Sequence, residues 1–265
     1  MSQVAPREAV LLADRVGDDA VRAFAEAHPG LELAPVTVVI PAYDEAEAIG
    51  GVLDGIPAEA CGLPVDTVVV DDGSNDGTAE VAERHGAYVA RMPRNCGQGA
   101  AFKVAYRIGR EHGARFLVTL DADGEWDPID IPTVLEPVVS GEADLVLGSR
   151  VLGRAESEDA VRRFGVGVFA VLVNQMTGAR ITDTSSGLRA MRAEVTESVP
   201  LEQPQYQSAE LLIGAIGHGY RFTERPTVQH RRIAGQTKKG GNFRYGLRYA
   251  RVVARTWWRD RHAGR

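Results

Sequence analysis

"VDTVVVDDGSNDGTAEVAERHG" (Val65–Gly86) runs from an apolar, β-branched stretch through a polar turn into a helical pattern. A short, wholly apolar run closed by turn residues reads as a strand buried on both faces, the kind found in parallel sheets. Working outward, the rhythm repeats. Upstream, "VTVVIPAYDEAEAIGGVLDGI" (Val36–Ile56) gives a β-branched run, a proline break and an acidic helix opening. Downstream, "AYVARMPRNCGQGAAFKVAYRIGREHG" (Ala87–Gly113) is a third unit; "ARFLVTLDADGEWDP" (Ala114–Pro128) and "ADLVLGSR" (Ala143–Arg150) supply two more strands. Strands alternating with helices indicate an α/β protein with βαβ units and a mostly parallel central sheet flanked by helices. Ligands in such sheets bind at the carboxyl ends of the strands. Four polar clusters fall there: Tyr43–Glu45, Asp71–Asp76, Asn95–Gly99 and Asp121–Glu125.

Beyond Arg150 the rhythm changes. "VRRFGVGVFAVLVNQMTG" (Val161–Gly178) reads as an apolar helix, and "ITDTSSGLRAMRAEV" (Ile181–Val195) as a polar turn entering a helix. A further helix, a short strand and the basic loop "RRIAGQTKKGG" (Arg231–Gly241) follow, then a cationic helix from Phe243 to Asp260. Residues 1–35 read as a helical extension without an assignable role, 36–241 as one α/β domain, and 242–265 as a basic, amphipathic C-terminal helix.

Composition sets limits. The 265 residues are 44% hydrophobic and 25% charged, an ordinary globular balance. Cys61 and Cys96 lie far apart without metal-type spacing and read as reduced thiols of a cytoplasmic protein. The first residues lack the apolar core of a signal peptide. The longest apolar run, Val166–Val173, falls short of the roughly 20 residues a bilayer needs. The net charge of −6 conceals an asymmetry: from His218 onward 13 Lys and Arg face two acids, leaving 17 basic and 34 acidic residues elsewhere. A basic tail on an acidic body favours an anionic partner, phosphate or a membrane surface. Nucleic acid is not expected, since RNA- and DNA-binding patterns are missing and the body would repel it.

Within "TLDADGEW" (Thr119–Trp126), acids recur at every second position. Two such charges about 4 Å apart repel by roughly 4 kcal/mol at an effective dielectric near 20. In an extended segment Asp121, Asp123 and Glu125 would share a face and converge on one hard cation, Mg²⁺ or Mn²⁺. "DDGSNDGT" offers tight-turn glycines and capping oxygens, with Asp71 and Asp72 placed to accept N–H donors from a nucleobase. Gly97 and Gly99 open a helix where a diphosphate could approach the backbone; Lys103 lies a full turn inside, so this is no Walker loop.

In this order the segments resemble family 2 glycosyltransferases of GT-A fold, and more narrowly the dolichyl-phosphate mannose synthases and their bacterial polyprenyl-phosphate relatives. The matching stretches run from "VVIPAYDEAEAI" through "VVVDDGSNDGT", "RNCGQGAA", "LDADGEWDP", "LVLGSR", "TDTSSGLRAM" and "AELLIGAIGHGYRFTERP" to "RIAGQTKKGG". The resemblance implies inverting, metal-dependent sugar transfer from a nucleoside diphosphate sugar, GDP-mannose or a UDP-hexose. It implies that Pro41, Tyr43, Glu45, Asn95 and Gly99 line the nucleotide-sugar pocket and that Asp71 or Asp72 reads the base. Asp121 and Asp123 would form the DxD metal motif, with Glu125 where the family commonly has Gln. Departures are Asp44 for Asn, Gln98 for Lys, Glu125-Trp126 for Gln-His, and Thr237 for Ser. The "DADG" stretch is also similar to the nucleophile motif of haloacid-dehalogenase phosphatases. Those carry it on the first core strand, whereas here three βα units precede it.

The acceptor remains open at this level. A phosphate monoester, with second pKa near 6, is already a nucleophile at neutral pH; a hydroxyl needs a base. A polyprenyl phosphate would be held by Arg150, Arg189, Arg231, Arg232 and Lys238. A soluble hydroxyl acceptor would use Asp183 or Glu210 as base. A catalytically silent nucleotide-sugar binding module is the remaining alternative. The apolar run Phe164–Val173 and the Arg-rich last helix with Trp257 and Trp258 suit peripheral contact with the inner face of the cell membrane. A separate membrane subunit or a homo-oligomer is compatible with this reading.

Overall fold

The computed structural model describes residues 6–156, 160–202, 207–232 and 251–259. The chain opens with helix α1 (Pro6–Ala27), which stops before Pro29-Gly30. Strands β1 (Val36–Ala42), β2 (Glu59–Ala60), β3 (Leu63–Asp71), β4 (Tyr88–Arg91) and β5 (Phe116–Thr119) follow, with helices α2 (Ile49–Asp54), α3 (Thr78–Arg84) and α4 (Gln98–Glu111) between them. Then come α5 (Ile131–Val139), β6 (Leu145–Ala155), α6 (Ala160–Thr177), β7 (Arg189–Arg192), α7 (Val195–Ser198), α8 (Gln207–Gly217) and β8 (Phe222–Gln229). Among the described residues the eight strands form one sheet, ordered β2-β3-β1-β5-β7-β6-β8, with β4 also on β3.

β4, β3, β1 and β5 are mutually parallel neighbours, so their carboxyl ends share one edge. Val36, Val38, Val39, Ile40, Val68, Val69, Val70, Leu117 and Val118 are all fully buried. Burial on both faces is why these strands read as continuous apolar runs rather than alternations. One side is covered by α4, whose Ala101, Phe102, Ala105 and Ile108 face the sheet, and the other by α2 and α5. α1 lies outside α4 and buries Val16, Ala20, Val21 and Phe24, one stripe at helical spacing. Fully burying a side chain such as Phe24 is worth about 1.5–3 kcal/mol.

Two expectations need correction. The turn at "TDTSSG" does not enter a helix: it leads into β7, which runs antiparallel between β5 and β6. Those two strands are parallel to each other and do not pair, so β7 satisfies backbone groups that both would otherwise leave open. Nor is Asp121–Glu125 extended. β5 ends at Thr119, and the acids sit in a turn around Gly124 (φ +71°), with Asp123 Oδ1 accepting from Glu125 N at 3.0 Å. The final helix is present over residues 251–259, with Val252, Val253 and Thr256 buried.

Candidate active site at the sheet edge

Four loops meet where β4, β3, β1 and β5 end, and cross-loop hydrogen bonds join them. From the β1 loop, Asp44 N donates to Ser74 Oγ (2.9 Å), Glu45 N to Thr78 Oγ1 (2.9 Å) and Ala46 N to Asp76 Oδ2 (3.0 Å). Asn75 N returns a bond to Asp44 Oδ1 at 3.0 Å. Asp72 accepts from Cys96 N at 2.7 Å and Gly97 N at 2.8 Å, fastening the loop before α4. Burial pushes the Asp72 carboxyl up to about 6; the two amides oppose that rise and Asp71 adds to it. Asp71 accepts from Ser74 N on one oxygen, at 3.0 Å. Of the two candidates for reading a base, Asp72 therefore has both oxygens committed to the neighbouring loop. Gly73, at φ +77°, admits the close pass of Arg94 and Asn95, where any Cβ would overlap the Arg94 backbone. Pro41 is buried within β1, Gly99 is buried in the first turn of α4, and Asn95 is exposed. Asp44 raises the pKa of Tyr43 beside it.

The acidic turn completes the edge. Gln98 Nε2 donates to Asp121 Oδ1 at 3.2 Å, bridging α4 to the turn. Asp121 Oδ2 lies against Gly187 so closely that a Cβ there would overlap the carboxylate and the Trp126 indole. Arg232 Nε donates to Asp123 Oδ2 at 3.0 Å, and the same guanidinium is 3.5 Å from Glu45. Glu125 Oε2 accepts from Gln229 Nε2 at 2.6 Å. Among the described residues, no three His, Cys, Asp or Glu side chains form a ready metal cluster. The acids reach this edge from a turn rather than from one face of a strand, so their carboxylates approach on different bearings. The donor set still suits a hard cation, being carboxylate oxygens with a guanidinium already standing as countercharge on Asp123.

The remaining sequence candidates separate. Arg150 is buried and grips Asp183 through Nε (2.7 Å) and Nη2 (2.9 Å), reaches Ser185 Oγ (2.6 Å) and Gln229 Oε1 (2.9 Å), and lies 5.6 Å from the Trp126 ring centroid. Asp183 is completely buried in this pairing. Its turn is held by Glu224, which accepts from Thr182 N and Asp183 N; burial raises the pKa of Glu224. Glu210, also fully buried, accepts from Glu202 N at 2.9 Å and Arg259 Nη1 at 3.1 Å. Arg189 is turned inward: at the start of β7 it is 2% exposed and donates to Ser186 O (2.8 Å) and Ser208 Oγ (2.5 Å). That placement corrects its expected role at an acceptor phosphate. Arg232 stands at the acidic turn, Arg231 is exposed beside it, and Lys238 lies outside the described residues. Sequence reading missed Gly187 and Gln229. Their contacts span 66 and 104 positions, so no local window shows them.

Comparison with known proteins identifies the family and the fold. Residues 37–199 match the model of glycosyl transferase family 2. The chain is 34% identical over 203 residues to the dolichyl-phosphate hexose transferase of Haloferax volcanii, covering 77% of this chain and 86% of that protein. It is 32% identical over 217 residues to the polyprenol monophosphomannose synthase of Mycolicibacterium smegmatis, covering 77% and 81%. The glucosyl-3-phosphoglycerate synthase of Mycobacterium tuberculosis, solved with Mn²⁺, UDP and glucosyl-3-phosphoglycerate, superposes with a TM-score of 0.64 at 21% identity, covering 91% and 82%. The architecture is GT-A. The chain belongs to glycosyl transferase family 2. It is a glycosyltransferase with relatives that act on polyprenyl phosphates.

Proposed function

We propose that this enzyme transfers a hexose from a nucleoside diphosphate sugar to a polyprenyl phosphate, with inversion, at a membrane surface and with Mg²⁺ or Mn²⁺. The observation that carries the acceptor class is the state of the two carboxylates able to serve as base. Asp183 is locked bidentate by Arg150, and Glu210 is buried against Arg259. A hydroxyl acceptor would need one of them to take a proton, whereas a phosphate monoester attacks without a base. The names of the two sequence relatives support the same class.

In this reading Asp71 accepts from the base, and Pro41, Tyr43, Glu45, Asn95 and Gly99 line the pocket around it. Asp121, Asp123 and Glu125 would hold the cation, which supplies Lewis-acid stabilisation of the leaving diphosphate. An acceptor phosphate oxygen forms the new bond to the anomeric carbon as the bond to the diphosphate breaks, and the diphosphate departs with the electron pair. Arg231, Lys238 and the Arg150 region would receive the acceptor phosphate. No described helix is long and apolar enough to cross a membrane. Peripheral contact is supported by exposed Val168 and Val171 on α6 and by Arg251, Arg255 and Trp258, which share the outward stripe of the last helix.

The test is transfer from labelled GDP- and UDP-sugars to undecaprenyl or decaprenyl phosphate, with EDTA and Asp123→Ala as controls. Metal-dependent lipid product is expected. Donor hydrolysis without lipid product would move the assignment to a soluble acceptor, and absence of both turnover and nucleotide binding would end the transferase reading.

A further inference from the structure

We propose that Gln229 is a positioning residue for Glu125, tying the acidic turn to the buried Arg150–Asp183 pair. The inference rests on the reading that Glu125 belongs to the cation site. Gln229 closes β8 and is 2% exposed. Both ends of its amide are used: Nε2 donates to Glu125 Oε2 at 2.6 Å, and Oε1 accepts from Arg150 Nη1 at 2.9 Å. A primary amide can donate to a carboxylate and accept from a guanidinium at once; Glu lacks the donor, and Lys or Arg lacks the acceptor.

The backbone fixes where that amide stands. Gln229 bridges Trp126 in an antiparallel contact, its carbonyl accepts from Glu156 N at 2.8 Å, and the next residue, His230, donates its N–H to Glu125 O at 2.8 Å. The strand end and the acidic turn are therefore joined by main chain on both sides of the side-chain bond. Beyond the amide, Arg150 is held by Asp183 and Ser185. A continuous chain of hydrogen bonds thus runs Asp183–Arg150–Gln229–Glu125.

Electrostatics gives that chain a task. The charge of Glu125 is felt by both Arg150 and Arg232. A flexible carboxylate between two guanidinium groups would settle onto one of them. The amide takes one oxygen of Glu125 and fills the Arg150 Nη1 valence facing it, which keeps the carboxylate from collapsing onto that arginine. Outer partners that orient a ligand typically change metal affinity by about tenfold or more when lost.

The test is a double-mutant cycle read as Mn²⁺ affinity by electron paramagnetic resonance of the free ion, with wild type, Glu125→Ala, Gln229→Met and the double variant. Expected are about tenfold weaker binding in each single variant and less than about a twofold further loss when Gln229→Met is added to Glu125→Ala. Equal losses in both backgrounds would mean that Gln229 acts through general structure and would overturn the proposal, as would unchanged affinity in Gln229→Met. Unchanged affinity in Glu125→Ala would instead sink the cation-site reading, and the positioning role with it. If Gln229→Met does not melt cooperatively, Gln229→Asn repeats the cycle; it keeps the amide but withdraws it by one methylene.

Discussion

The Arg232 guanidinium rests on the Asp123 carboxylate, with Nε 3.0 Å from Oδ2, and its Nη2 also lies 3.5 Å from Glu45 Oε1. A fixed cation thereby offsets the repulsion that the acidic turn would otherwise suffer. It also competes for the oxygen that a divalent ion would use. Arg232→Ala should therefore bind Mn²⁺ about three- to tenfold more tightly without nucleotide, about 1 kcal/mol of removed competition. A Mn²⁺ titration decides this; weaker binding would mean that Arg232 helps build the site.

Gly187 sits where Asp121 needs room. A methyl group at residue 187 would overlap the Asp121 carboxylate and press on Trp126. Gly187→Ala should cost about 1–3 kcal/mol of stability by overpacking and should lower transfer at least about tenfold through the displaced carboxylate. Thermal unfolding and kcat/KM together check both; full activity would show that Asp121 has freedom to move.

Asp72 predicts a pH dependence. Its carboxyl stands at about 6 in the folded protein against an ordinary 3.8, so between those values the folded protein retains a proton that the unfolded chain has shed. The stabilisation from that proton is complete below about pH 4 and is lost as pH rises through about 6. Asp72→Asn does not titrate. The stability of wild type relative to this variant should fall from pH 4 to 6 and then level off, as read from urea unfolding at stepped pH. A flat difference would refute the raised value.

The outward stripe of the last helix gives a membrane prediction. Arg251→Glu with Arg255→Glu should reduce co-sedimentation with phosphatidylserine-containing vesicles at least about tenfold, at about 1 kcal/mol per basic residue near an anionic surface. Trp258→Ser should weaken binding to neutral vesicles as well. Unchanged sedimentation in both would remove this face from the membrane.

Most of the parallel β4-β3-β1-β5 part of the sheet is legible because it is written locally. Val36–Ala42 and Leu63–Asp71 are apolar runs that end in polar turns, and their partners follow within one helix. β7 was not legible. Arg189–Arg192 is four residues with an arginine at each end, and what makes it a strand is the gap between β5 and β6. The alternating acids read as extended, but their Asp-Gly pair, Asp123-Gly124, is a turn signal and the structure follows it. Spacing alone placed the acids at the right strand end but not on their final bearings. Arg189 likewise looked available beside a polar turn, and tertiary packing turned it toward α8. Gln229 and Gly187 act across distant segments, and no window of sequence contains both partners.

β7 also has a meaning for how such a chain diversifies. β5 pairs with it over four residues and β6 over three, so the β4-β3-β1-β5 part of the sheet and the β6-β8 part meet along a narrow seam. Recombination along that seam would graft a new β6-β8 part onto an old β1-β5 part while breaking few main-chain bonds of β7. The contacts that cross it, the Asp121 carboxylate against bare Gly187 and Gln229 against Glu125, would be the compatibility marks that any graft must match.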